Sequence, residues 1–350
     1  ATGLLTPLHA HPLFTHSSVH NDSMTMKACI YGAGAIGGWL GVALAQAGHP
    51  VSLVARGETL RALQTQGMRM RRTDGTLAQV PVTAHSDPAA MGVQDLVVIA
   101  VKAPGLPAVA RAIAPLLGPH TVVLTAMNGV PWWFLDGVGG AAQGRALESV
   151  DTGGVIAQAI PARSVLGGVV HASCSLEAPG FVRHHFGDRL ILGEPDGSHS
   201  ARLLALADSL QRGGIQAEVS DCIQKDIWFK LWGNLTMNPI SALTGATIDR
   251  ILDDDLVRGF VSAVMLEAKG IGERLGLPID QQPEDRHAVT RKLGAFKTSM
   301  LQDVEASKPL EIDALVGAVR ELGQITSTPT PHTDALLGLV RLMARTRRLY

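Results

Sequence analysis

Gly32-Ala33-Gly34-Ala35-Ile36-Gly37 stands between the apolar run Ala28-Cys29-Ile30-Tyr31 and a helix-like run from Gly38 to Ala47. No other feature narrows the fold so far. In a strand–turn–helix of this kind the first glycine permits the tight turn. The second lets the backbone approach a pyrophosphate, and the third lets helix and strand pack closely. The helix N-terminus offers free N–H groups and a partial positive charge to phosphates. Gly48 stops the helix, and Val51-Ser52-Leu53-Val54 reads as a second strand. Leu96 to Val101 and Thr121 to Thr125 are near-continuous apolar strands, as a parallel sheet covered on both faces requires. Strands alternate with helical segments at βαβ spacing. The expected class is α/β, with a dinucleotide-binding domain first.

The segment from Asp151 to Glu194 differs, with β-type stretches such as Val165 to Val170 and Arg189 to Leu192 broken by Gly and Pro. It is expected to extend the first domain as antiparallel sheet. From Cys222 to about Arg348 the pattern is helical, punctuated by Pro239, Pro278, Pro283, Pro309 and Pro329. Pro309, just before Glu311, suits the first turn of a helix. The expected division is a disordered leader at 1–23, an NADP-binding domain at 24–221 and a helical substrate and dimerisation domain at 222–350. The leader carries His9, His11, His16 and His20 without Cys or carboxylate partners, and it lacks the basic start and apolar stretch of a signal peptide.

Composition narrows the function classes. The chain has 350 residues, 17% of them charged, and a net charge of −1. No charge block marks a nucleic-acid partner. No apolar run reaches the ~18 residues of a membrane span. Cys29, Cys174 and Cys222 are odd in number and widely spaced, so they read as buried thiols in a reducing compartment, the cytoplasm, and not as a disulfide or zinc framework. His184-His185 and Cys174 have no third ligand in view, and no metal is assigned.

Candidate chemistry lies where polar residues interrupt apolar patterns. An NAD site places Asp or Glu ~20 residues beyond the glycines. This chain has Arg56 there, nineteen residues after Gly37, and an arginine can fork onto a 2′-phosphate, so NADPH/NADP+ is expected over NAD. Lys102 follows the strand Val98-Ile99-Ala100-Val101, and Asn128 follows the next strand in Met127-Asn128-Gly129-Val130-Pro131. Lys230, Asn234 and Asn238 are spaced by four and four within Trp228 to Pro239, which puts them on one helical face. Lys297-Thr298-Ser299-Met300-Leu301-Gln302-Asp303 and Leu310-Glu311-Ile312-Asp313 complete the set.

In this order the motifs GAGAIG, VKA, NGVP, WFKLWGNLTMNP, TSMLQD and EID span Gly32 to Asp313, and the chain resembles the ketopantoate reductase (2-dehydropantoate 2-reductase) family. The resemblance implies a Rossmann-type N-terminal domain and an all-helical C-terminal domain, like 6-phosphogluconate dehydrogenase, with the active site between them. It implies reduction of a 2-oxo acid, 2-dehydropantoate to (R)-pantoate in pantothenate biosynthesis, with a homodimer as the working form. Carried over by motif, Lys230 is the general acid, Asn234 and Asn238 hold the substrate, and Ser299 contacts its carboxylate or hydroxyl. Glu311 sits near the cofactor and positions the lysine. Lys102 and Asn128 lie close to the nicotinamide and its ribose, and Asn128 also reaches the substrate. The residue types fit that chemistry. Hydride addition to a ketone builds charge on oxygen, and an ammonium beside it stabilises the charge and donates a proton.

Two stretches depart from the family pattern. Phe296 stands three residues before Ser299, where family members often present an asparagine. Pro131-Trp132-Trp133-Phe134 opens a longer stretch than compact members have. These aromatics either line the substrate side of the cleft or are ordinary core or dimer-contact residues. Two alternatives therefore stay open. One is the same fold acting on a bulkier 2-oxo acid or an imine. The other is a dinucleotide-binding sensor without catalysis, which the fold alone does not exclude.

Overall fold

In the computed structural model, residues 25–350 are described. The expected leader lies outside them. The chain begins with β1 (Ala28–Tyr31), α1 (Ala35–Gln46), β2 (Val51–Val54), α2 (Gly57–Gln66), β3 (Met68–Arg71), β4 (Leu77–Val80), β5 (Thr83–His85), β6 (Leu96–Ile99), α3 (Leu106–Ala112) and β7 (Val122–Ala126). After α4 (Val155–Ala159) come β8 (Val165–Ala178), β9 (Phe181–Gly193), α5 (Ala201–Arg212) and β10 (Gln216–Val219). The remainder is helical: α6 (Ile223–Thr244), α7 (Ile248–Asp253), α8 (Asp255–Arg274), α9 (Pro283–Arg291), α10 (Ser299–Glu305), α11 (Ala318–Ile325) and α12 (Pro331–Thr346).

The strands form one mixed sheet in the order β4-β3-β9-β8-β7-β6-β1-β2-β5, with β10 pairing β9. Its heart, β7-β6-β1-β2, is parallel: Ile30 registers with Val98 and with Leu53. The long hairpin β8–β9 is antiparallel and joins through β8 alongside β7, so the antiparallel extension expected from Asp151 to Glu194 is present. The pairings of β3 with β9 and of β5 with β2 join residues far apart in sequence and had no local signal.

Alternation along the strands divides the core in two. Ala28 and Ile30 face one cluster with α1, α2 and α5. Cys29 and Tyr31 face the other, which runs through Trp133 and Phe134 to Trp228 and Trp232 of α6. The helical region therefore shares a continuous apolar core with one face of the sheet. On the opposite face, α5 buries Leu203, Leu206 and Leu210, each stabilising by roughly 1.5–3 kcal/mol. Its start is fixed by the Ser200 hydroxyl, which accepts from the Leu203 N–H.

Several sequence expectations need correction. α1 begins at Ala35, not Gly38, so Ala35-Ile36-Gly37 form its first turn. Pro239 does not end a helix; it lies inside α6, which continues to Thr244. A proline there forfeits a hydrogen bond, normally a cost of about 3 kcal/mol or more. The helix persists because Leu235 to Ala242 are all buried, and packing outweighs propensity. Pro309 is not in a first helical turn, because the helix begins only at Ile312 and at once widens into a π turn over Asp313–Gly317. Of the three thiols only Cys29 is fully buried, while Cys174 and Cys222 are half-buried; all three are free. Among the described residues no helix is long and apolar enough to cross a membrane.

Candidate active site

The glycine turn is a shaped cradle. Gly32 has φ +115, and a Cβ there would come within 2.7 Å of the Ala100 carbonyl oxygen. A Cβ on Gly37 would lie 2.0 Å from the Gly32 carbonyl oxygen, so this glycine is what lets α1 sit on β1. Gly34 differs, since a Cβ there would meet nothing within 4 Å. Its bareness serves no packing and leaves open space before the helix. Gly34 is also the N-cap of α1, with no side-chain cap and no acid in the first turn. The first N–H groups are thus free for an anion, with Ala33, Ala35 and Ile36 supplying the backbone around them.

Arg56 follows β2, is exposed and caps α2 with its backbone alone. Burial raises the Tyr31 phenol above its ordinary pKa, and the cation of Arg56 partly offsets this, so the guanidinium lies near the end of β1. Among the described residues it has no ion-pair partner. An open cradle, uncapped N–H groups and a free guanidinium together fit a dinucleotide with a 2′-phosphate.

The polar centre is built by elements from both parts of the chain. From α6, Lys230 Nζ donates to Asn128 Oδ1 at 3.0 Å and to the Val170 carbonyl oxygen of β8 at 2.6 Å. An ammonium has three N–H groups, so one remains for a ligand. Burial lowers the Lys230 pKa to about 8, against the pull of the Glu311 carboxylate. Glu311 is itself buried and accepts from the Ala103 N–H at 3.0 Å. Burial raises its pKa; the Ala103 N–H and the cations Lys102 and Lys230 work the other way, and Asp303 adds to the rise.

The turn bearing Asn128 is clamped from the helical side. Gly129 has φ +83, a Cβ there would lie 2.6 Å from the Ala314 carbonyl oxygen, and Val130 N–H donates to that same oxygen at 2.8 Å. Ala314 belongs to the π turn, and such turns are frequent at functional sites. Lys102 pairs with Asp303 of α10, so its ammonium bridges the two halves of the chain. On α6, Asn234 is half-buried and Asn238 6% exposed. Both share the face of Lys230, and neither side-chain amide has a protein partner among the described residues. Ser299 opens α10, where Thr298 supplies the N-cap by accepting from the Leu301 N–H at 3.2 Å. The Ser299 side chain is exposed.

The aromatic departures resolve differently. Trp132, Trp133 and Phe134 are core: all three are buried, and Trp132 Nε1 donates to the Ile160 carbonyl at 3.1 Å. Pro131 and Trp133 also line a small pocket beside Asn128, so they back the site from within the core. Phe296 is half-buried and meets Phe186 of β9 edge-on, ring centroids 6.1 Å apart. His185 bonds Ser175 at 2.8 Å, and His184 contacts the Gly187 carbonyl. Among the described residues no group of three or more His, Cys, Asp or Glu side chains is placed to hold a metal. Sequence reasoning missed the Val170 carbonyl, which has no residue signature, and the acid partner of Lys102. It also missed a cavity of about 440 Å³ beside Glu311, lined in part by Leu349 and Tyr350.

Residues 28–197 match the family described as ketopantoate reductase PanE/ApbA, and residues 222–344 match its C-terminal family. The 2-dehydropantoate 2-reductase of Mesorhizobium japonicum is 48% identical over 93% of this chain and 100% of its own length. A Ralstonia solanacearum MolK2 crystal structure that carries the ketopantoate reductase name is 59% identical, with TM-score 0.89, over 93% of this chain and 100% of its own. A PanE/ApbA family ketopantoate reductase from Ralstonia eutropha JMP134 is 28% identical, with TM-score 0.79, over 92% of this chain and 100% of its own.

Proposed function

This chain belongs to the ketopantoate reductase family, and from that premise we propose that it is an NADPH-dependent oxidoreductase reducing 2-dehydropantoate to (R)-pantoate, a step of pantothenate biosynthesis. The observation that carries the reading is Lys230, held by Asn128 and the Val170 carbonyl with one N–H to spare.

NADPH supplies the hydride when bound. The chain's residues do the rest. The backbone of Gly32 to Gly37 receives the pyrophosphate, and Arg56 receives the 2′-phosphate. Asn234 and Asn238 present unpaired amides to the substrate hydroxyl and carbonyl, and Ser299 meets its carboxylate or hydroxyl. The Lys230 ammonium stabilises the developing alkoxide and transfers a proton to it from Nζ. Glu311 keeps that ammonium charged despite its burial. Lys102, through Asp303, draws α10 toward the cofactor side. Nothing in this scheme calls for a metal or a nucleic acid. We place the working form as a homodimer.

The experiment is NADPH oxidation with 2-dehydropantoate. Rapid turnover supports the reading. Intact NADPH binding without turnover overturns it. A second reading keeps the chemistry but changes the substrate: the Phe186–Phe296 pair favours a bulkier, more apolar 2-oxo acid. Larger 2-oxo acids turning over better than 2-dehydropantoate would support that reading; 2-dehydropantoate as the best substrate would dismiss it.

A further inference from the structure

The tryptophans of the shared core differ in what their indole N–H groups meet. Trp132 Nε1 donates to the Ile160 carbonyl at 3.1 Å, and Trp232 Nε1 to the Met265 carbonyl at 2.7 Å. Trp228 Nε1 has no partner and lies against Gly272. Trp133 is fully buried, and its Nε1 also has no hydrogen-bond partner among the described residues. A buried indole N–H normally finds a partner, and leaving one without is costly. Trp133 differs from Trp228 in what it borders. It lines the small pocket beside Asn128, a cavity of about 20 Å³. Among the described residues the only polar side chains that line this cavity are Thr125, Asn128 and Trp133.

The donors and acceptors of these three side chains fit one water. A water needs about 10–15 Å³ and two to four polar partners, so the cavity has room for one. The Trp133 indole can only donate. Asn128 accepts from Lys230 through Oδ1, which leaves its Nδ2 hydrogens, and no described residue accepts from them. Thr125 Oγ1 donates to the Leu166 carbonyl at 3.3 Å and keeps lone pairs free to accept. Two donors and one acceptor therefore border a space of one water, which can accept from both donors and donate to the hydroxyl. Such a water would also fix the Asn128 amide. With Nδ2 held on the cavity side, Oδ1 stays on Lys230. A turned amide would set N–H groups against the ammonium, donor against donor.

We propose that this cavity is a water site, in which one water bound by Trp133 Nε1, Asn128 Nδ2 and Thr125 Oγ1 holds the Asn128 oxygen on Lys230. Trp133 and Thr125 are then positioning residues. Their effect on turnover rests on the proposed role of Lys230, so the test joins crystal structures to a pH profile. The wild-type crystal structure is expected to show an ordered water within about 3.2 Å of Trp133 Nε1. Thr125→Val keeps the side-chain shape and removes the acceptor, while Trp133→Phe removes the donor. Either variant should empty the site and let the Asn128 amide turn, so that Lys230 loses an acceptor that favours its charged form. The alkaline limb of the kcat profile should move to lower pH by about half a unit to one unit, with NADPH affinity within about twofold. A merely structural role would lower the melting temperature and leave the profile in place. A dry cavity in the wild type overturns the proposal. So does an unmoved profile in a folded Thr125→Val protein that has lost the water; this variant carries the test alone if Trp133→Phe does not fold. In a protein inactive on 2-dehydropantoate the crystal structures still decide. A broken Lys230–Asn128 contact in Thr125→Val would keep the water site and discard the named substrate, and an intact one would overturn the positioning role.

Discussion

At the scale of the residue, the proposed chemistry turns on a lysine whose burial lowers its pKa while the Glu311 carboxylate pulls it back up. In the proposed mechanism the proton donor is the ammonium form. With the Lys230 pKa lowered to about 8, turnover is expected to be level below that value and to fall as pH rises through it. A pH–rate profile of kcat checks this, and a profile still level well above it would detach Lys230 from the rate. Arg56 is a separate test, because among the described residues no carboxylate pairs with it. Arg56→Ala should raise the KM for NADPH by about tenfold or more and leave NADH nearly unaffected, as read by parallel titrations with the two cofactors. The grouping of Lys230, Asn234 and Asn238 was legible because two steps of four put three polar side chains on one face of an apolar helix. The Val170 carbonyl that also holds Lys230 was not legible, because a backbone acceptor has no residue signature.

At the scale of the element, the site depends on turns that only glycine can make. Gly129 has a positive φ and lies against the Ala314 carbonyl. Gly129→Ala should therefore strain the turn by about 1–3 kcal/mol. It should also pull Asn128 off Lys230, lowering both the melting temperature and kcat. Loss of stability with kcat intact would show that the turn is structural only. The glycine turn after β1 was readable because Gly32 and Gly37 each answer a local steric demand, while Gly34 leaves the space before α1 open. The course of α6 was not: Pro239 argued for a boundary, and burial on every side overrode it. The hairpin β8–β9 was readable as β-type sequence, but β3 beside β9 was not, since that pairing joins residues far apart in the chain, with α1 packed on both strands. The tryptophans at 132 and 133 were ambiguous in sequence because a buried core and an aromatic cleft wall use the same residues.

At the scale of the whole molecule, the candidate site exists only where the two parts of the chain meet. Sheet-side groups Ala103, Asn128 and Val170 bond helical-side groups Glu311 and Lys230, and Lys102 meets Asp303 across the same boundary. Two helices that pack together, α8 and α12, expose Leu256, Leu266, Leu339 and Leu342. Such leucines are the surface on which we expect the homodimer to form. Sedimentation should give a dimer, and Leu339→Glu with Leu342→Glu should give a folded monomer; a monomeric wild-type protein would contradict this. The central claim is that Lys230 supplies the proton for reduction of a 2-oxo acid. Single-turnover oxidation of bound NADPH by 2-dehydropantoate, comparing wild type with Lys230→Ala, tests it most directly. The account predicts that the variant still binds NADPH but loses the chemical step by about 10²–10⁴-fold. A variant that transfers hydride within a few-fold of wild type would contradict it.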